Sequence, residues 1–226
     1  MPFNKSNPAY QLGNNYDVFI KSAVTQEELK GSYYGGSVVY PEFASDKSIE
    51  VWIELMSFLD KNLATFDGIW LIDNHHYNLC DGECPPTILK SKEESELDEI
   101  RWNITYKPPQ MYPGLRSLSL DAKHNLTNAN YMIERHLHNL NGLLQMRSTS
   151  RYFIQQSKRN FVISDSTFAG AGEYGYHIVT RVSSTFESLQ MAVSDLLNFN
   201  LFGMPMVGTE LCGEFGPTNN MKEARY

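Results

Sequence analysis

The alternation of short apolar runs with amphipathic helical stretches restricts the fold of this chain more than any other feature. The apolar runs are rich in β-branched and aromatic residues, and they lie at 37–40, 66–73, 161–164 and 204–207. Helical patterns separate them, beginning near Ser45 or Asp46, spanning 131–156, and running from Ser184 to Gly203. The order β-α-β-α-β-α-β predicts parallel strands joined by crossover helices, in either a barrel or an open sheet.

Two of these helices have apolar residues at a spacing that predicts their buried faces. The first helix places one tryptophan, one methionine and three leucines on one side: Trp52, Leu55, Met56, Leu59 and Leu63. Ser184-Thr-Phe-Glu187 fits a capping box that opens the last helix. That helix is expected to bury Phe186, Leu189, Val193 and Leu197.

The stretch from 79 to about 129 has neither period, and proline pairs interrupt it at 85–86 and 108–109. We interpret it as a long irregular insertion or surface arm. The predicted domain organisation is an N-terminal arm over 1–30 and one domain over 31–226 that carries this insertion. The acidic run at 93–99 is interpreted as a solvated face, with a docking surface as the alternative.

Charge and composition exclude several function classes. The net charge of −7 argues against nucleic-acid binding, because phosphate recognition needs clustered Lys and Arg. No stretch approaches the ~20 apolar residues that span a bilayer. The N-terminus has no signal-peptide pattern, so the cytoplasm is the expected compartment and the sequons at Asn103 and Asn125 are interpreted as chance matches or relics. No cofactor is predicted.

Cysteines and histidines offer two further candidate sites. Cys80 and Cys84 could pair or ligate a metal, but we interpret them as free thiols in a loop. His75 and His76 precede them at a spacing that matches no strong zinc signature. His136 and His138 are expected to be packing residues on a helix. The sequence therefore predicts no metal site.

Several motifs in sequence order resemble glycoside hydrolase family 31. FDGIW at 66–70 is similar to the strand that leads to the family's nucleophile, and HLHNLNGLL at 136–144 to its His-Asn-Leu-Tyr-Gly helix. FVISDSTFAGAG at 161–172 and LNFNLFGMPMVGTELCG at 197–213 resemble two longer family motifs, and GGSVVYPEF at 35–43 an earlier one. The resemblance covers the chain from about residue 30.

The resemblance implies a partial (β/α)8 barrel that contains roughly the middle strands and their helices. Open sheet edges expose unpaired N–H and C=O groups that must be covered. We therefore expect other protein subunits to cover the barrel edges and the chain alone to be aggregated or poorly folded. No nucleic-acid or membrane partner is expected.

The resemblance also implies that the catalytic carboxylates are missing. The family's nucleophile lies two residues after the strand tryptophan, which places Ile72 at that position when Trp70 is matched. A hydrocarbon side chain cannot form the covalent intermediate of a retaining glycosidase. Asp73 would need a one-residue bulge to take over, because side chains alternate between the two faces of a strand.

Two more family positions have changed their chemistry. The acid/base position matches Arg181, whose guanidinium stays protonated, while His177 of the same motif is kept. The arginine that contacts substrate in the family matches Asp165, and the aspartate of its Gly-Ala-Asp motif matches Glu210, the mildest change.

We therefore predict a catalytically inactive glycosidase-like protein that serves as a structural or interaction subunit of a larger assembly. One alternative is a piece of an active α-glucosidase that hydrolyses O-glycosyl bonds. The other is a non-hydrolytic sugar-binding module, with Trp70, Phe168 and His177 as the candidates for a residual carbohydrate pocket.

Overall fold

The computed structural model describes residues 3–33, 36–78, 80, 82–84, 117–126, 131–180, 182–211 and 213. Nine strands and five helices lie in this part of the chain, with 3-10 turns at His138–Leu140 and Ala171–Glu173. In chain order they are β1 (Phe3–Asn4), α1 (Pro8–Tyr16), β2 (Lys30–Tyr33), β3 (Gly36–Val39), α2 (Asp46–Asn62), β4 (Ile69–Leu71), β5 (Lys123–Asn125), β6 (Tyr131–Ile133), α3 (Glu134–Leu137), α4 (Asn141–Gln155), β7 (Val162–Ser164), β8 (Tyr176–Val179), α5 (Phe186–Leu201) and β9 (Val207–Thr209).

The chain divides into two compact units. The first unit comprises 46–75 and the chain from 139 onward, and the second comprises 2–45 and 76–138. None of the helices in the described ranges is both long and apolar enough to cross a membrane.

The first unit is built on a parallel sheet with the strand order β4-β7-β8-β9. The parallel arrangement predicted for the runs at 66–73, 161–164 and 204–207 is confirmed. Strand β8 was not among the predicted apolar runs. It adds a fourth parallel strand between β7 and β9, as repeated β-α units of a barrel require.

Helices α2 and α4 bury their apolar faces in the core of the first unit. Trp52 and Met56 are buried as predicted, and the Trp52 Nε1–H donates to Thr149 Oγ1 at 3.0 Å. The prediction was wrong for Leu63, which is 74% exposed because α2 ends one residue before it.

Helix α5 exposes the face that the sequence predicts to be buried. Val193 and Leu197 are 59% and 64% exposed, and Phe186 is 37% exposed. Ala192 is its buried residue. The residue that caps this helix is Thr185 rather than Ser184, because the Thr185 side chain accepts a hydrogen bond from the Ser188 N–H. A capping box with Ser184 was therefore a wrong prediction.

The second unit contains an antiparallel sheet with the order β1-β3-β2. The run at 37–40 forms β3, but its place in a parallel sheet was a wrong prediction. Only two residues separate β2 from β3, a spacing that suits a hairpin and is far too short for a parallel crossover. The core of the second unit is a cluster of side chains from segments that are distant in the sequence: Ile20, Leu29, Val38, Tyr40, Leu118 and Ala122.

Two sequence-based divisions differ from the structure in the second unit. The segment 1–30, interpreted as an arm, contains β1 and α1 and supplies Ile20 and Leu29 to this core. The segment 79–129, interpreted as irregular, contains β5, which pairs antiparallel with β6. Residues 85–116 of that segment lie outside the described ranges, and the boundary at residue 30 stays a prediction.

The cysteine and helix predictions need two corrections. Cys80 and Cys84 form a disulfide, so their interpretation as free thiols was wrong. Gly82 between them has a φ of +83°, and this turn brings their Cα atoms to 5.7 Å, within the span of a disulfide. The helix predicted over 131–156 begins instead as β6 and is interrupted by the 3-10 turn at His138–Leu140.

We expect the Gly142→Ala variant to unfold more easily, although alanine is normally favoured in a helix by about 1 kcal/mol. Gly142 lies in α4, and a Cβ there would overlap the carbonyl group of Ser166. Overpacking of this kind costs about 1–3 kcal/mol. Urea unfolding followed by pulse proteolysis measures the change.

Gly208→Ala is the matched control, because a Cβ at that position would make only ordinary contacts with Ile178. Equal midpoints for the two variants would contradict a close approach of α4 to the segment after β7.

Candidate functional site

The carboxyl ends of the parallel strands bring the predicted site positions to one edge of the sheet. Ile72, Asp165 and Glu210 directly follow β4, β7 and β9. Leu71 and Ser164 are paired in register, and Ser164 is paired with His177 in turn. In barrel enzymes this edge carries the active site. We call it the carboxyl edge.

Ile72 presents a hydrocarbon side chain at the end of β4. Its side chain is 43% exposed, as is that of Trp70 at 45%, while Leu71 between them is buried. This alternation puts Ile72 and Trp70 on the same face of the strand. The Ile72 side chain is therefore accessible, and it has no atom that can attack carbon or accept a proton; that it stands at the nucleophile position stays a prediction of the resemblance.

Asp73 follows Ile72 in a turn rather than in a strand bulge. Its φ of +51° lies in the left-handed region, which non-glycine residues seldom adopt. The strand before it pairs with β7 without interruption from Ile69 to Leu71. The Asp73 N–H donates to Asp165 Oδ2 at 2.9 Å, so the two aspartates are neighbours at the carboxyl edge.

Both carboxylate oxygens of Asp165 accept hydrogen bonds from β4 and the turn that follows it. The Trp70 Nε1–H donates to Oδ1 at 2.8 Å, and the Asp73 N–H donates to Oδ2. Burial raises the pKa of Asp165 above its ordinary value, although the hydrogen bonds from Trp70 and Thr180 and the charge of His75 oppose the shift. The side chain thus ties the ends of β4 and β7 together.

His177 is a buried residue of β8. Its ring stacks on that of Phe199 with the centroids 3.9 Å apart, and its Nδ1 lies 3.2 Å from Thr167 Oγ1. Burial lowers the pKa of His177, and the attraction to Asp165 and Asp195 does not offset this. These contacts hold the His177 ring in place at the carboxyl edge, and its role in a sugar pocket stays a prediction.

The remaining predicted positions are less informative. Phe168 lies four residues after β7, and its ring is 46% exposed. Arg181 lies outside the described residues.

A cavity of about 460 Å³ lies near the opposite strand ends, where Asp67 and Gly68 precede β4 and Phe161 precedes β7. It does not include Ile72 or Asp165.

Asn74 connects several elements at the carboxyl edge, and sequence reasoning had assigned it no role. Its fully buried amide donates to Ser164 Oγ at 2.7 Å and accepts from the Ser166 N–H at 2.8 Å. Its backbone carbonyl accepts from Asn141 Nδ2 at 2.9 Å. The available signal was the resemblance, in which the Met-Asn-Glu that follows the family's nucleophile corresponds to Asp73-Asn74-His75 and only the asparagine is the same.

Comparison with known proteins agrees with this architecture. The model of the glycosyl hydrolases family 31 TIM-barrel domain matches residues 2–225. The chain is 32% identical to mouse (Mus musculus) lysosomal alpha-glucosidase over 216 residues, which are 93% of this chain and 21% of that protein. It is 31% identical to Alpha-xylosidase 1 of Arabidopsis thaliana, covering 93% of this chain and 24% of that protein.

The chain belongs to glycoside hydrolase family 31. Among solved structures, the glucosidase II alpha subunit superimposes with a TM-score of 0.68 at 19% identity, over 95% of this chain and 20% of that one. Family 31 membership identifies the parallel sheet as part of a (β/α)8 barrel. The chain spans roughly a fifth to a quarter of the length of these relatives.

This family 31 chain has a second group of ionisable side chains, in its second unit. The carboxylate of Glu134 is fully buried and contacts three histidine rings. The distances are 2.6 Å to His76 Nδ1, 2.7 Å to His124 Nε2 and 2.9 Å to His138 Nδ1. We call these four residues the Glu134 cluster.

The charges in the Glu134 cluster are mutually stabilised. Burial alone would raise the pKa of Glu134, but the attraction to His76 and the hydrogen bonds from all three histidines hold it far below its ordinary value. Burial lowers the pKa of His76, whereas the hydrogen bond to Glu134 raises that of His138. Glu134 is therefore an anion in a dry environment.

His138 was expected to be a packing residue and His76 to bind no metal, and neither Glu134 nor His124 was predicted to have a role. Two signals were present. Glu134 and His138 are four residues apart, which places them on one helical face, and α3 and the turn after it continue in that register. The contact with His76 joins positions 58 residues apart and depends on the fold.

We expect the stability of the wild type, relative to the Asp165→Asn variant, to rise as the pH falls from 7 toward 4. The raised pKa means that the folded state binds a proton at Asp165 more tightly than the unfolded state does. Wild-type stability is therefore gained as the pH falls through the folded pKa, and an amide has no such proton. Urea unfolding at several pH values measures the difference.

Asp67→Asn is the control, because the Asp67 side chain is 98% exposed. A difference between wild type and Asp165→Asn that stays constant with pH would show that Asp165 is as solvated when folded as when unfolded.

Proposed function

We propose that this family 31 chain is a catalytically inactive, glycosidase-like domain that acts as a structural or interaction subunit of a larger protein assembly. The observation that carries the proposal is Ile72, an exposed hydrocarbon at the strand end where the family resemblance puts the nucleophile. Retaining hydrolysis needs two carboxyl groups about 5–5.5 Å apart, one as nucleophile and one as acid. Ile72 leaves the first of these without a carboxylate.

The contacts of Asp165 support the same conclusion. Its two oxygens accept hydrogen bonds from Trp70 and from the Asp73 backbone, so the carboxylate is used in fastening one strand end to another. A side chain engaged in this way is poorly placed to contact a sugar hydroxyl. By the family resemblance Asn74 and Gly142 are retained; Asn74 binds Asn141 through its carbonyl, and Gly142 lets α4 approach Ser166 closely.

The surface of α5 supports an interaction role. Phe186, Val193, Leu197 and Leu201 are spaced four or seven residues apart, which places them on one helical face, and we call them the α5 stripe. Leu201, at 83%, is its most exposed member. A contiguous exposed apolar patch on a protein surface often marks a site of contact with another protein. We propose that another protein subunit covers this stripe and the open edges of the sheet.

A piece of an active α-glucosidase is the second candidate. Two aspartates, Asp73 and Asp165, are neighbours at the carboxyl edge, and the raised pKa of Asp165 suits a general acid. This candidate requires Asp73 to act as the nucleophile from its turn. The α-glucosidase relatives make an α-glucoside the substrate to test.

We expect no hydrolysis of 4-nitrophenyl α-glucoside above the level of a buffer blank. Loss of a catalytic nucleophile lowers turnover by about four to six orders of magnitude. An intact family 31 α-glucosidase serves as the positive control. Activity that Asp73→Asn and Asp165→Asn both abolish would instead establish the enzyme candidate.

The same preparation tests the sugar-binding alternative. Saturable stabilisation by maltose or a glucose-like iminosugar, without turnover, would favour a binding module over a structural subunit. A Trp70→Phe variant keeps an aromatic face but loses the indole N–H, and so separates sugar stacking from the Trp70–Asp165 hydrogen bond.

We expect a double Val193→Glu, Leu197→Glu variant to lose the partner that co-purifies with the wild type, because two charges would be buried in an apolar contact. Affinity capture followed by gel filtration measures the loss. Asn198→Glu is the matched control, since it adds a charge on the same helix about 100° around the axis from Leu197. Full retention of the partner by the double variant would exclude the α5 stripe from the interface.

A further inference from the structure

The Glu134 cluster places nitrogen and oxygen donors of the kinds that bind Zn²⁺ around one buried point. One ligand atom each from His76, Glu134 and His138 lies within 4.8 Å of those of the other two. Imidazole nitrogen and carboxylate oxygen are the donors that zinc takes from proteins besides thiolate, and two histidines with one glutamate form a known ligand set. No local sequence motif predicts this ligand set, because His76 is 58 residues from Glu134 along the chain.

The distances in the cluster are close to those that a bound ion would require. His76 Nδ1 and His138 Nδ1 lie 2.6 and 2.9 Å from the same Oε1 atom of Glu134. A tetrahedral zinc ion about 2.0–2.2 Å from each donor holds the donors roughly 3.3 Å apart. To accept an ion, the two histidine nitrogens would move slightly away from Glu134 Oε1 as the ion replaces the protons that now bridge these atoms.

The surroundings hold two of the three donors in place. His124 contacts the other carboxylate oxygen of Glu134, Oε2, at 2.7 Å. The Ser117 hydroxyl donates to the His76 carbonyl at 2.9 Å, and the Glu134 N–H donates to the carbonyl of Ala122 at 2.8 Å. Outer contacts of this kind orient ligands and raise metal affinity.

Exposure differs among the three donors in a way that allows an ion to enter. The side chains of His76 and Glu134 are 3% and 0% exposed, whereas that of His138 is 35% exposed. A buried carboxylate is costly without a compensating charge. A divalent cation that enters beside His138 supplies this charge and leaves a fourth coordination position for water.

We propose that His76, Glu134 and His138 bind one Zn²⁺ ion, or a similar first-row divalent ion, with His124 as the outer contact that holds the carboxylate. Binding releases the Nδ1 proton of a protonated His138 and moves that of His76 to Nε2. Because the ligands come from positions 76 and 134–138, the ion stabilises the second unit. The proposal does not depend on whether the carboxyl edge is catalytic.

The test uses the purified chain, alone or with any protein that accompanies it, after dialysis against a chelator and then against buffer. We expect titration calorimetry with zinc chloride to give one site per chain with micromolar or tighter affinity. Cobalt chloride should produce visible absorption bands of a four-coordinate site. Zinc should also raise the unfolding temperature, because an ion that binds only the folded state stabilises it.

The variants separate a metal site from a hydrogen-bonded cluster. His138→Gln should abolish the cobalt bands and the zinc-dependent rise in unfolding temperature, and His124→Gln should weaken zinc binding by about 10–100-fold. His136→Gln is the control, because His136 is an exposed residue of α3, the helix that contains Glu134. This variant should bind zinc as the wild type does.

Two results would overturn the proposal. One is a wild type that binds no zinc at micromolar concentration, and the other is a His138→Gln variant that binds as well as His136→Gln. Should His138→Gln fail to fold, ¹⁵N spectra of the wild-type histidine rings decide the question. Zinc should shift the ring signals of His76, His124 and His138, and unchanged signals would exclude the site.

Discussion

The buried side chain of Asn74 is the constraint on which the carboxyl edge of this family 31 barrel depends. Its amide bonds to Ser164 and to the Ser166 N–H, and its carbonyl accepts from Asn141, so the ends of β4 and β7 and the start of α4 meet at one residue. A buried amide that lost these partners would cost about 1–3 kcal/mol for each unsatisfied group. None of these bonds involves the side chain of residue 72. The scaffold can therefore be maintained whichever side chain stands at position 72.

The parts of the fold that the sequence predicts are those fixed by local pattern. The runs at 66–73 and 161–164 were predictable as parallel strands because both faces of such strands are apolar. The run at 37–40 looks alike, but its antiparallel pairing is set by the short connection to β2, which residue periodicity does not reveal. The α5 stripe shows the opposite case. Its apolar period was recognised, but a period predicts only that the residues share a face and not that the face is buried, and Val193 and Leu197 are exposed.

The candidate sites likewise contain features that local sequence predicts and features that depend on tertiary structure. The spacing from Trp70 to Ile72 predicts their common face, and the structure gives both residues similar exposure. The hydrogen bond from Trp70 to Asp165 was not predictable, since it depends on the register of β4 against β7 across 95 positions. The Glu134 cluster joins residues from three segments, and the Cys80–Cys84 disulfide depends on the left-handed turn at Gly82. Contacts of this kind come from tertiary structure and leave at most a faint local pattern.

The two groups of ionisable residues obey the same electrostatic rule with opposite results. At the carboxyl edge, Asp165 is half-buried and accepts bonds mainly from neutral N–H groups, so burial dominates and favours its protonated form. In the second unit, three histidines surround Glu134 and outweigh a greater burial, so the anion persists. A persistent buried anion attracts a cation, whereas a carboxyl group with a raised pKa and neutral partners does not. The grouping of His76, Glu134 and His138 around one buried point, rather than the carboxyl edge, is therefore where we propose that a cation binds.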